Sequence, residues 1–303
     1  MVVPVLSPLP AARAAVRSLL TGHPDGAAPW VRDLGRDGDE GWFGPGSTIW
    51  RVHADAATLV GGIRAPLVQA MHPVVLAGFD QHSDYREDPE ARLQRTAAFV
   101  TITTFGTSAQ AERACDRVRR AHAPVRGATD DGRPYRADDP DLLGWVHLAL
   151  VDSLAVAVRR YGHTGFDLDD YLYDTAVVGE RLNAGHVPRD ARGLAASWRH
   201  YRPQLARTPA TDRAHAFLLD PPLPWRIRAP YRVLAAAAAA TLPGDIRPLL
   251  GARPLLPDPA AGLVGRTATA LLSGVLGQSP AASDRCIVCG QASEAVAVWA
   301  QAY

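Results

Sequence analysis

Arg92, Arg95 and Thr96 stand at helical spacing within Arg92-Leu93-Gln94-Arg95-Thr96. Positions three and four apart share a helix face, so the three side chains point the same way. Leu93, Ala97, Ala98, Phe99 and Val100 around them are apolar, which places the trio in a segment suited to burial. A buried guanidinium is costly unless an anion or a strong acceptor meets it. Further along, His122 falls on the apolar side of a second helix, just before Pro124. A cationic pair and a histidine on an apolar stripe could hold an anionic, iron-bearing cofactor, with His122 on the metal. From the residues alone a plainer reading stays open. Arg92 and Arg95 could pair with Asp84, Glu87 or Asp88, and His122 could be a hydrogen-bonded core residue.

Other constellations are weaker. His53-Ala54-Asp55 matches the short half of a two-histidine, one-carboxylate iron site, but Asp55 has a simpler use as a helix cap. Cys286-Ile287-Val288-Cys289 has the spacing of half a zinc site, and no further His or Cys follows it to complete one. It reads as an incidental thiol pair on a tail, or as part of a metal shared with another chain. The paired Glu-x-x-His motif of a di-iron bundle is absent, as are a nucleophile elbow, a phosphate-binding loop and a dinucleotide fingerprint.

These side chains need helices to position them. Asp88-Pro89-Glu90 reads as a helix start, leading through Arg92 to a stop at Phe105-Gly106. Thr107 and Gln110 form a capping box, and the helix that follows carries Ala111, Ala114, Cys115, Val118 and His122 on one face. Asp139-Pro140-Asp141 starts a helix running from Leu142 to Tyr161, apolar on most sides and therefore central, with His147 and Asp152 as buried polar groups needing partners. An apolar stretch from Ala56 to Met71 contains Gly61-Gly62, which permits close approach, and Pro66. Further helices are expected at Leu168–Leu182, Ala191–Tyr201, Trp225–Thr241 and Leu263–Leu276, and a short one near Ala11–Leu20. Trp50–His53 reads as a short extended piece, and Gly127–Asp138 as a polar loop. The expected fold is all-α: a lead-in over residues 1–40, one globular helical domain over 41–280, and a tail over 281–303.

Composition sets the limits. Among 303 residues 47% are hydrophobic, enough for a large core, and the net charge of +1 implies no general attraction to nucleic acid or anionic lipid. All 32 basic residues are arginine, so no lysine is present to act as nucleophile, Schiff base or metal ligand. Three cysteines do not make a disulfide framework. No signal peptide is evident, and the run Val233–Leu242 is too short to span a bilayer, so a cytoplasmic protein without a membrane span is expected.

From Trp42 to about Gly162, and again over Pro221–Gly251, the chain resembles the rubber oxygenase (latex-clearing protein) and MpaB-type oxygenase family, a domain formerly of unknown function. The match is carried by Gly62-Ile63-Arg64-Ala65, His72-Pro73, His82-Ser83, Asp88-Pro89, Arg92-Leu93-Gln94-Arg95-Thr96, Phe105-Gly106 and His122. Tyr135-Arg136-Ala137, the Asp139–His147 segment, Leu242-Pro243 and Arg247 extend it in the same order. The resemblance implies a globin-like helical core holding haem b, with His122 as the proximal iron ligand and Arg92 and Thr96 lining the pocket. It implies oxygenase chemistry on an apolar, unsaturated, isoprenoid-like small molecule with dioxygen. Where rubber-cleaving members carry a lysine able to cap the iron, this chain has Arg95, whose guanidinium holds its proton too tightly to coordinate. Arg92, Arg95 and Thr96 are thus the expected catalytic residues, and the iron's sixth position is expected to be open or water-filled. Asp80 and Asp84 are the candidates for the family's catalytic carboxylate. The alternative is a non-catalytic haem-binding or helical scaffold protein.

Overall fold

A computed structural model describes residues 39–251 and 257–276, with residue 16 and the short pieces 18–23 and 28–34. Most of the Ala11–Leu20 candidate and the whole Cys286–Cys289 pair lie outside the described residues. The described chain is mostly helical. After one turn at Pro29–Arg32 come α1 (Thr48–Ala54), α2 (Thr58–Gln69), α3 (Pro73–His82), α4 (Pro89–Phe105) and α5 (Ser108–His122). A two-stranded antiparallel hairpin, β1 (Arg126–Ala128) and β2 (Pro134–Arg136), follows. Then come α6 (Pro140–Tyr161), α7 (Leu168–Arg181), α8 (Ala191–Tyr201), α9 (Pro209–Leu219), α10 (Trp225–Ala240) and α11 (Asp258–Leu276).

The centre is α6, whose apolar residues leave no wide polar face; Trp145, Leu148, Val151, Leu154 and Val158 are all buried. By length and composition α6, rather than the shorter alanine run, could cross a membrane, yet 67% of its apolar window is buried inside the protein. It packs along α2. At Gly61 a β-carbon would stand 2.9 Å from the Leu154 Cα and the Ser153 carbonyl oxygen, so glycine sets the approach of the two helices. Gly62 faces open space and has no such role. Inside this contact Arg64, fully buried, donates to Asp152 Oδ2 at 2.8 Å and Ser153 Oγ at 2.7 Å. Trp198 Nε1 completes the link from α8 by donating to Asp152 Oδ1 at 3.3 Å. The partner required by buried Asp152 is therefore Arg64, whereas His147 Nε2 is buried with no hydrogen bond.

Several expectations need correction. Trp50–His53 is helical, within α1, started by the Ser47 hydroxyl accepting from the Trp50 amide; four residues of weak alternation are too few to separate strand from helix. The Gly127–Asp138 segment overlaps the β-hairpin, in which Gly127 faces Tyr135. Helix α9 was not expected; Thr208 caps it and Pro209 occupies its first turn, a start signal that the sequence does contain. Helix α11 begins at Asp258, earlier than Leu263.

Candidate cofactor cleft

Helices α4 and α5 form a hairpin that brings Arg92 and His122 together from opposite ends. Asp88 caps α4, its Oδ1 accepting from the Ala91 amide at 3.0 Å. Thr107 and Gln110 form the full capping box at the start of α5, the Gln110 Oε1 accepting from the Thr107 amide at 3.0 Å. Arg92 lies one turn into α4 and His122 ends α5. Their mutual influence is direct: the Arg92 charge, after burial itself, pushes the His122 imidazole below its ordinary pKa, and Asp138 opposes the shift. His122 is accordingly a neutral imidazole at neutral pH. Its ring makes no hydrogen bond among the described residues, so a lone pair remains for a metal.

Arg92 is half-buried, and its guanidinium lies 4.9 Å from the centroid of the Phe79 ring on α3. No carboxylate pairs with it among the described residues. Burial and the neighbouring Arg95 charge both lower its pKa, with Asp84 opposing. A cation placed over an aromatic ring, partly desolvated and lacking an acid, is poised for an external anion.

Arg95 and Thr96 do not share this burial. Both are exposed, which corrects the expectation of a buried trio. Their side chains extend from a helix that packs mainly on α5 and is not enclosed by the bundle. Arg95 pairs with Asp84 at 2.7 Å, the plainer of the two readings its sequence allowed. The Thr96 hydroxyl donates to the Arg92 carbonyl at 3.1 Å, leaving its oxygen free to accept. Asp80, the other carboxylate candidate, accepts from Tyr85 at 2.7 Å and pairs with Arg86 at 2.9 Å.

The β-hairpin closes one side. Tyr135 donates to Gln81 Oε1 at 2.7 Å, while Gln81 Nε2 donates to the Ala128 carbonyl at 2.9 Å, fixing the hairpin to the end of α3. Asp138, just past β2, is held by Arg136 at 2.9 Å. Phe79 and Asp138 escaped the sequence reading. Phe79 is one of many apolar residues in its run, and Asp138 is one of several acids in its loop; neither type signals its place beside Arg92 and His122.

The His53–Asp55 metal half-site does not survive the geometry. His53 Nδ1 lies 2.7 Å from Thr104 Oγ1 and Nε2 3.1 Å from Tyr171 Oη, so both nitrogens are engaged. Asp55 Oδ1 accepts from the Ala57 amide at 2.8 Å, and Oδ2 from the amides of His163 and Thr164 at 3.0 and 3.1 Å. Asp55 is not the N-cap expected of it: Ala57 holds that position before α2, and the Asp55 carboxylate instead ties the α1–α2 turn to the loop after α6.

Residues 50–273 match the family model of the ER-bound oxygenase mpaB/B'/rubber oxygenase catalytic domain. This chain belongs to the mpaB/rubber oxygenase family. The matched span covers well over half of the chain and includes the cleft, the central helix α6 and most of α11. None of the curated proteins and none of the solved structures matches the chain.

Proposed function

We propose that this protein is a haem-b-dependent oxygenase that acts, with dioxygen, on an apolar, unsaturated, isoprenoid-like small molecule. The observation that carries the reading is the pair Arg92 and His122: a half-buried cation within electrostatic reach of a neutral imidazole, neither with an ion-pair or hydrogen-bond partner for its side chain among the described residues. The donor set fits haem, which requires an axial imidazole, an aromatic or aliphatic wall and cations for its carboxylates. In this reading the helical body acts as a globin-like haem core. His122 binds the iron, Arg92 receives a haem carboxylate against the Phe79 ring, and Thr96 supports the pocket from the next turn of α4. When bound, haem supplies the oxygen chemistry; the chain's part is to hold, orient and exclude water.

Arg95 takes the place of an iron-capping lysine but cannot coordinate, because its guanidinium stays protonated. Its bond to Asp84 holds the charge at the exposed surface of α4, one turn from Arg92, from where its remaining N–H groups would donate to dioxygen or substrate. The test is oxygen uptake by haemin-reconstituted protein with an unsaturated isoprenoid. Consumption of both dioxygen and isoprenoid, abolished in His122→Ala, is expected. A haem-loaded protein that consumes neither an isoprenoid nor any unsaturated lipid contradicts the oxygenase reading.

A further inference from the structure

Asp141, His186 and His200, none of them among the residues around Arg92 and His122, bring one carboxylate and two imidazoles to a single point, all donor atoms within 4.8 Å of one another. They come from the first turn of α6, the loop 182–190 and the last turn of α8. His200 Nε2 is 2.8 Å and His186 Nε2 is 3.7 Å from the same oxygen, Asp141 Oδ1. Donors sharing one small transition cation at ~2.0–2.1 Å stand about 3.0–3.4 Å apart, so the observed separations bracket the required ones.

The three positions are held from behind. The Tyr201 hydroxyl donates to the Asp141 carbonyl at 2.8 Å, and the Gly185 amide donates to the Pro140 carbonyl at 2.7 Å. Gly144 makes this junction possible, since a β-carbon there would collide with the Gly185 carbonyl and the Tyr201 hydroxyl. His186 has a left-handed backbone, φ 52°, and the Ser197 hydroxyl secures it by donating to its carbonyl at 2.8 Å. The two imidazoles stack with centroids 4.0 Å apart, over the edge of Tyr201. Gln204 stands 3.4 Å from His200 Nε2 and reaches His72 Nε2 at 3.2 Å, which ties the cluster to the cap of α3.

We propose that Asp141, His186 and His200 form a binding site for a divalent transition cation of the zinc class, sharing no ligand with the Arg92–His122 pair. Two imidazoles and one carboxylate suit that class, and water fills the remaining positions. Asp141 Oδ1 exchanges its bond to His200 for the cation, and both imidazoles turn their Nε2 lone pairs to it. The bound cation ties α6, the loop 182–190 and α8 into one unit. Nothing in this depends on haem.

The test is titration calorimetry of the full chain with zinc chloride after chelator treatment, in a Cys286→Ser/Cys289→Ser background that removes the thiol pair. One saturable site per chain is expected, accompanied by a rise in melting temperature. His200→Ala and His186→Ala should each weaken binding by more than about a hundredfold, exceeding the ~10–100-fold loss typical when only a supporting residue is changed. Asp141→Asn, nearly isosteric, guards against misfolding as the cause and should weaken binding likewise with unaltered circular dichroism. Absence of saturable binding in the serine background, or unchanged affinity in His200→Ala, overturns the proposal.

Discussion

Arg64 and Arg92 stand on helices of the same protein in contrasting surroundings. Arg64 is fully buried between α2 and α6, where its Nη1 donates to Asp152 and Ser153, its Nε has no hydrogen bond, and Trp198 donates to the same Asp152. Arg92 is half-buried at the open end of the α4–α5 hairpin, where it lies over an aromatic ring and near a neutral histidine, and no carboxylate among the described residues forms an ion pair with it. A buried charge with its counter-charge belongs to the architecture. A partly desolvated charge without one leaves its hydrogen-bond donors open to a ligand. The same contrast separates His53, with both nitrogens engaged, from His122, with neither engaged among the described residues.

Substitution should expose the difference, beginning with the largest effect. Arg64→Ala strands the Asp152 carboxylate in the core and should cost about 3–5 kcal/mol in urea unfolding. A loss no larger than that of a surface substitution would show that the pair is not structural. Comparable in size is the pH response of two desolvated histidines, half-buried His53 and buried His147. Burial pushes His53 down to about 3 and His147 down to about 4, from 6.5 in the unfolded chain. Below pH 6.5 the unfolded chain takes up protons that the folded chain refuses. Stability is therefore full above that pH and falls below it, by about 1.4 kcal/mol per pH unit for each histidine, until the folded values are reached. Unfolding free energies that stay flat between about pH 6.5 and 5 would contradict buried, neutral imidazoles.

Arg92→Ala should barely disturb the fold. It removes one cation–π contact of about 0.5–1 kcal/mol, yet it should markedly weaken haemin retention. A large stability loss with haem retention intact would reverse the roles assigned to the two arginines. Smallest of all, Arg95→Ala breaks an exposed ion pair with Asp84 and should change stability by at most about 1 kcal/mol in the same unfolding assay.

The sequence was most informative where local chemistry decides structure. Asp88-Pro89 and Thr107-x-x-Gln110 specify their helix starts through backbone amides only a few residues away, and both caps are present. The apolar periodicity of α6 marked it as central because no polar stripe was available to face water. Burial across α4 was misjudged for a physical reason. Apolar residues around Arg95 and Thr96 suit either a core or an open cleft, and periodicity cannot tell which surface covers them. Phe79, Asp138 and the Asp141–His186–His200 cluster depend on contacts between distant segments, for which spacing along the chain carries no signal. Arg95 allowed two readings, and only the position of Asp84 selected the ion pair.

Haemin titration followed by absorption spectroscopy, on wild type and His122→Ala side by side, tests the central claim most directly. The account predicts a saturable Soret band at one haem per chain, with a sixth iron position open or water-filled, and loss of that species in His122→Ala. Wild-type protein that takes up no haemin, or a His122→Ala variant that binds it with the same spectrum and affinity, would contradict it.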